Sequence, residues 1–206
     1  MSNLNQRIIS SIIILPLSIF FIIKGSYLLM IFIAFLFVTA CYEWFKITKN
    51  KSYNFFGVLF LAISFYTFYS LSLEIWEIVF VILVCVSTDI GGYVFGKTFQ
   101  GPKLTKISPN KTYAGVIGGY IFSLIFLIIY LSYILKEINV SIEYFIITIL
   151  LSTMSQIGDI FISFFKRQSN IKNTGKIIPG HGGLLDRIDG MIFTVPLYFL
   201  IKLIGF

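Results

Sequence analysis

Seven apolar runs follow one another along this chain with hardly a break, approximately Ile8 to Ile23, Tyr27 to Phe45, Phe55 to Leu71, Ile75 to Val94, Gly115 to Leu135, Tyr144 to Phe165 and Met191 to Phe206. Stretches of that length and apolarity belong in lipid, where a helix satisfies its own backbone. The expectation is therefore a single all-α integral membrane domain over residues 1–206, a bundle of about seven transmembrane helices. Several runs hold only 16 or 17 residues, which at 1.5 Å per residue spans roughly 25 Å, so their ends must snorkel or the bilayer must thin. The first run has no A-x-A cleavage site behind it and is read as retained.

Charge then orients the spans. With the N-terminus and Arg7 in the cytoplasm, Lys46, Lys49, Lys51, Lys97, Lys103, Lys106, Lys111, Lys166, Arg167, Lys172, Lys176 and Arg187 fall on the same side. That places 13 basic residues inside against 3 outside, Lys24, Lys136 and Lys202, a bias that puts the N-terminus in the cytoplasm. The net charge of +7 is thus mostly topology. It suits anionic lipid or nucleotide phosphate, and nucleic acid is not expected. Cys41 and Cys85 both lie inside apolar runs and read as small buried hydrophobes.

Two loops on the cytoplasmic face, Gly96 to Ala114 and Lys166 to Gly190, are long and polar enough to carry chemistry. Beside them stand two intramembrane carboxylates, Asp89 in the fourth run and Asp159 in the sixth. A carboxylate in lipid is unfavourable by at least about 2.5 kcal/mol, so each should face a wet cavity, a partner or a metal. Ser152, Ser155, Asp159, Ser163 and Lys166 recur at intervals of three or four and share one helical face, as the wall of a water-filled funnel would. Gly91, Gly92, Gly96, Gly115, Gly118 and Gly119 read as close helix packing. Lys106, Ser108, Lys111 and Thr112 form a strip able to contact phosphate.

The segment from Ser163 to Asp189 holds five of the sixteen basic residues, two of the nine acids and the only histidine. Lys166, Arg167, Lys172, Lys176 and Arg187 bring cations to the Pro179–Gly183 turn, whose glycine-rich backbone can turn its N–H groups toward an anion as a nest, ahead of a helix N-terminus at about Asp186 to Gly190. Asp186 and Asp189, three apart, are hard oxygen ligands suited to Mg²⁺. Plainer readings exist: Asp186 as a helix cap, Lys166 and Arg167 as topology signals. His181, between glycines, is unshielded. It has no second histidine for a zinc cluster, no G-x-S-x-G surrounds any serine, and neither a P-loop nor a G-x-G-x-x-G is present.

Ser163-Phe164-Phe165-Lys166-Arg167, Lys172, Gly175, Pro179-Gly180-His181-Gly182-Gly183 and Asp186-Arg187-Ile188-Asp189 together resemble the signature of the phosphatidate cytidylyltransferases, or CDP-diacylglycerol synthases. The likeness extends to Gly158-Asp159, to Ile107-Ser108-Pro109 with Lys111-Thr112, to Asp89–Gly96 and, in style, to the residues around Glu43. Three positions depart from the pattern: Asn173 replaces an aspartate, Ala114 a glutamate and Asn110 a lysine.

The resemblance implies a multi-span enzyme of the cell (inner) membrane, with its active site on the cytoplasmic face, that transfers CMP from CTP to phosphatidate and releases pyrophosphate. It implies Mg²⁺ as cofactor on Asp159 and Asp186, with Asp189 a further candidate ligand from its spacing. Lys166, Arg167 and Lys172 would neutralise the triphosphate and lipid phosphate; Ser163 and Arg187 would orient a ligand or phosphate; His181 would contact phosphate or the leaving pyrophosphate. Ser108, Lys111, Gly182 and Gly183 complete the expected substrate contacts. A homodimer would fit membrane enzymes generally. The residue inventory by itself also leaves open a polyprenol kinase, an archaeal-lipid cytidylyltransferase, or a small transporter using Asp89 and Asp159 as an ion path.

Overall fold

The structure, a computed structural model, describes residues 12, 16–48, 53–105, 107–108, 111–136, 141–175, 177–178, 180 and 182–205. Their regular structure is helical, and the only β pairing among them is two isolated bridges, Lys103 with Thr112 and Ile178 with Gly182. Residues 16–24 are helical, and Gly25, at φ +59°, turns the chain into the next helix. The rest of the first apolar run lies outside the described residues. We number the helices α1 (Ser26–Thr48), α2 (Asn54–Ser72), α3 (Ile75–Phe99), α4 (Tyr113–Ile129, continued by a π-helical turn Tyr130–Leu135), α5 (Ile142–Gln168), α6 (Leu185–Ile188) and α7 (Met191–Leu203).

Five of these, from Tyr27–Thr48 in α1 to α5, are long and apolar enough to cross a membrane. The last apolar run forms α7, whose 13 residues reach only about 20 Å and carry Pro196 in their interior. Several hydroxyl side chains along the helices donate to their own preceding turn, although Thr148 and Ser155 in α5 do not. Thr48 donates to Trp44 O, Ser64 to Phe60 O, Ser87 and Thr88 to Val84 O, and Thr194 to Gly190 O. This local bonding lets polar residues sit in apolar helices without an orphaned group in hydrocarbon. The outward faces instead carry bare apolar residues such as Phe35, Phe56, Ile63, Ile117 and Leu150, a surface suited to lipid.

The chain divides into two compact units, each made of two separate stretches: Met1–Ile75 with Phe165–Asp189, and Trp76–Phe164 with Gly190–Phe206. In the first unit α1 packs on α2. Trp44 meets Phe165 edge-on at 4.9 Å and Tyr53 donates to Gln168 Oε1 at 3.0 Å. Ser169 Oγ donates to the Ile47 carbonyl, tying the chain beyond α5 to the end of α1.

In the second unit α3 and α4 approach along glycines. A Cβ on Gly115 would stand 2.8 Å from Gly92 O, and one on Gly118 2.6 Å from Gly91 O. The glycine runs are thus packing residues, as their spacing suggested. Thr88 donates to Ser152 at 2.9 Å, and Tyr120 and Thr153 hydroxyls meet at 3.0 Å. Away from these, Tyr198 donates to Glu77, which also pairs with Lys202 at 3.5 Å.

Candidate active site

Within the first unit the polar segment folds around two carboxylates. Glu43, on the last turns of α1, is wholly buried. Its Oε1 accepts from Leu184 N at 3.0 Å; its Oε2 accepts from Leu185 N at 2.9 Å and from Thr174 Oγ1 at 2.8 Å. Asp186, in α6, is the second. Lys166 donates to its Oδ1 at 2.8 Å, while its Oδ2 accepts from Thr174 N at 2.8 Å, Gly183 N at 3.0 Å and Thr174 Oγ1 at 3.1 Å. The Lys166 and Asp186 side chains are only 10% and 7% exposed, so this is a desolvated ion pair stiffened by three dipoles.

The turn leading to α6 is built for close approach. Gly180 and Gly182 have φ of +75° and +96°, a region that favours glycine. Gly182 exchanges backbone bonds with Ile178 at 2.9 and 3.1 Å. A Cβ on Gly182 would lie 2.8 Å from Asp186 Oδ2, and one on Gly175 or Gly183 would overlap the Glu43 carboxylate. Of the backbone N–H groups in the glycine-rich turn expected to form an anion nest, those of Gly182 and Gly183 are engaged within the chain: Gly182 N donates to Ile178 O and Gly183 N to Asp186. The helix itself starts at Leu185, one residue ahead of the expected position. Sequence reasoning could not see this, because a nest and an inward-turned cap both need glycine.

Around the turn three described basic residues lie at the surface. Lys172, Arg167 and Arg187 are exposed, with Arg167 Nη1 3.4 Å from Ile171 O. Asn173 is exposed as well, its Cβ and Cγ 3.4 Å from where a Gly182 Cβ would stand. Asp189 is half-buried. His181, Lys176 and Pro179 lie outside the described residues, as do Lys106 and Asn110 of the other loop.

The second unit holds the other carboxylate. Asp159 pairs through Oδ2 with Lys111 at 2.8 Å, the side chains 20% and 27% exposed. Lys111 is set by its loop: Leu104 N donates to Lys111 O at 2.8 Å and Lys111 N to Ser108 O at 3.0 Å. Thr112 then caps α4 by accepting from Gly115 N at 3.1 Å. Gly190 passes beside Asp159, since a Cβ there would lie 3.4 Å from Oδ1. The polar stripe of α5 is its inner side. Ser152 and Ser155 are buried and Asp159 and Ser163 half-buried, while Ile149, Leu150, Ile157 and Phe161 are exposed. Asp89 is exposed on α3, ten residues before the helix end.

Sequence reasoning missed both lysine–carboxylate pairs and the role of Glu43. A glutamate at the end of an apolar run was the available signal, since an ionisable residue at membrane depth needs a partner.

Among the described residues no three His, Cys, Asp or Glu side chains gather as a ready metal cage. Mg²⁺ does not need one, because it is commonly held by one or two carboxylates with substrate phosphates and water. Asp159 and Asp186 each already hold a compact cation, the lysine ammonium, 2.8 Å from one oxygen. Their hard oxygen chemistry fits Mg²⁺ arriving with phosphates.

Comparison with known proteins gives a consistent answer. Residues 5–77 and 70–204 match the sequence model of the cytidylyltransferase family. The chain is 37% identical over 214 residues to a phosphatidate cytidylyltransferase of Rickettsia bellii (strain RML369-C), covering 98% of this chain and 91% of that protein. It is 36% identical over 211 residues to the phosphatidate cytidylyltransferase of Rickettsia prowazekii (strain Madrid E), covering 98% and 92%. A shorter match, 41% over 143 residues, relates it to the phosphatidate cytidylyltransferase of Staphylococcus haemolyticus (strain JCSC1435), covering 68% of this chain and 55% of that one.

Proposed function

The chain belongs to the cytidylyltransferase family, and from that premise we propose that it transfers CMP from CTP to phosphatidate, giving CDP-diacylglycerol and pyrophosphate. The observation that supports this best is the buried Asp186 carboxylate, clamped by Lys166, Thr174 and Gly183 on a turn edged with exposed Lys172, Arg167 and Arg187. A buried acid ringed by outward cations is what a metal–triphosphate ligand requires.

In the reaction a phosphate oxygen of phosphatidate forms a bond to the α-phosphorus of CTP, and the bond from that phosphorus to the β-phosphate bridging oxygen breaks. The electron pair leaves with pyrophosphate. No general base is needed, because the attacking phosphate monoester is already anionic at neutral pH, so the protein's task is positioning. Asp159 and Asp186 are the residues that would hold Mg²⁺, which supplies charge neutralisation at the phosphates. Lys111 and Lys166 pair with these carboxylates and would turn toward phosphate oxygens when substrate enters. Lys172, Arg167 and Arg187 draw the triphosphate and the lipid headgroup. Ser163 and Ser108 supply hydroxyl contacts, and His181 serves the leaving pyrophosphate.

The positive-inside bias supports a cytoplasmic active site in the inner membrane. Acyl chains then enter sideways between apolar helices while CTP comes from water.

The test is product analysis with α-labelled CTP and phosphatidate in detergent. The label should appear in CDP-diacylglycerol and require Mg²⁺; Asp159→Ala and Asp186→Ala should each lower the rate on the order of a thousandfold. Release of labelled CDP with a phosphorylated lipid alcohol would overturn the transfer reaction, and wild-type turnover in either variant would remove that aspartate from the site.

A further inference from the structure

Glu43 has no part in the transfer described above, yet its burial demands a function. A carboxylate removed from water without a matching cation is unfavourable by several kcal/mol, and an apolar side chain would pack at the end of α1 without that penalty. Its hydrogen bonds among the described residues reach across 131 to 142 residues of sequence to one short turn: Thr174 Oγ1, Leu184 N and Leu185 N. The two amides are among the first N–H groups of α6, which an α-helix cannot satisfy from within. With four residues, α6 is also far too short to hold itself together. Glu43 supplies from outside the cap that this helix lacks.

The turn closes on the same carboxylate from two sides, since a Cβ on either Gly175 or Gly183 would overlap it. Thr174 carries the connection further. Its hydroxyl stands 2.8 Å from Glu43 Oε2 and 3.1 Å from Asp186 Oδ2, and its amide donates to that same Asp186 oxygen at 2.8 Å. One hydroxyl hydrogen serves one acceptor at a time, so the two carboxylates share a donor.

We propose that Glu43 is a positioning residue for the transfer: through Leu184, Leu185 and Thr174 it fixes the turn that holds Asp186, and it touches neither substrate nor metal. The inference rests on the reading of Asp186 as a residue of the reaction, and its test separates the two.

Glu43→Gln keeps the shape but sets an amide N–H₂ against N–H donors on one side. The expected result is a fall in kcat of about 10- to 100-fold and a similar rise in the Mg²⁺ concentration for half-maximal rate, the range seen when groups behind a metal ligand are changed. KM for phosphatidate should stay within about twofold. Thr174→Val, which leaves both amide bonds to Glu43 in place, should show a smaller shift in the same direction, and Thr174→Ser should restore the wild-type Mg²⁺ requirement.

A readout that needs no turnover is trypsin cleavage after Lys172 and Arg187 in the purified protein, expected to quicken about tenfold in Glu43→Gln. Wild-type kcat, Mg²⁺ requirement and cleavage rate in Glu43→Gln would overturn the proposal. So would a rate loss that merely tracks the unfolded fraction at unchanged Mg²⁺ requirement; should Glu43→Gln not fold, the Thr174 pair decides by the same criteria. If instead the wild type forms no CDP-diacylglycerol while the cleavage result holds, the transfer reading fails and the clamp on the turn stands.

Discussion

Removing either partner of the Lys166–Asp186 pair should damage the fold unequally, and the structure says which loss is worse. At 2.8 Å and an effective dielectric near 20, the bare attraction is roughly 6 kcal/mol, much of it offset by desolvation. Lys166→Met leaves Asp186 with two amide donors, Thr174 N and Gly183 N, and with a share of the Thr174 hydroxyl. Such bonds to a charged group are worth about 1.5–3 kcal/mol each, so the carboxylate remains solvated by the chain and the expected loss is about 1–3 kcal/mol. Asp186→Asn removes the counter-charge that Lys166 reaches among the described residues, and the one oxygen it keeps cannot serve both the ammonium and the amides of Thr174 and Gly183, so an ammonium at 10% exposure loses its ion pair. Breaking a buried pair in that sense typically gives about 3–5 kcal/mol. The double variant carries neither charge and should fall near Lys166→Met alone, a coupling of at least ~1 kcal/mol. Unfolding in mixed detergent–SDS micelles, followed by the fluorescence of Trp44 beside Phe165, measures all four corners of the cycle. Additivity within about 0.5 kcal/mol, or a greater loss from Lys166→Met than from Asp186→Asn, would refute the reasoning.

Two further outcomes follow from the second unit. Gly91→Ala would push a methyl group into Gly118 O and to 2.7 Å from Phe122 Cβ; the helices must part, and thermal unfolding should show a loss of about 1–3 kcal/mol. Thr112→Ala deletes the cap on α4 and should lower stability by about 1 kcal/mol, with Thr112→Ser close to wild type in the same melt.

Apolar length made the helices legible, within limits that have a physical origin. The runs read as Phe55 to Leu71 and Tyr144 to Phe165 became Asn54–Ser72 and Ile142–Gln168. The run read as ending at Val94 continues to Phe99, because hydropathy registers lipid whereas a helix needs only its own hydrogen bonds and proceeds through Gly96 and Lys97 into water. The identity of the polar segment was also legible, since its residue types are chemically distinctive. Which group faces which was not. Lys111 read as a phosphate contact and proves to hold Asp159, 48 residues away. Glu43 is recognised by backbone amides, and an amide has no letter in a sequence.

Charge counting inside the turn joins these observations. Glu43 and Asp186 bring two carboxylates to Thr174, and among the described residues the ammonium of Lys166 pairs with one of them. The donors that make up the difference are dipoles, which stabilise a carboxylate without cancelling its charge. The asymmetry at Thr174 distinguishes the two carboxylates. The shared hydroxyl lies nearer Glu43, at 2.8 against 3.1 Å, and Glu43 is fully enclosed. Asp186 is the acid with residual exposure and with an oxygen, Oδ1, whose partner is a lysine ammonium rather than backbone. A lysine can swing aside where an amide cannot. The turn therefore holds Glu43 on two backbone amides and pairs one oxygen of Asp186 with a side chain.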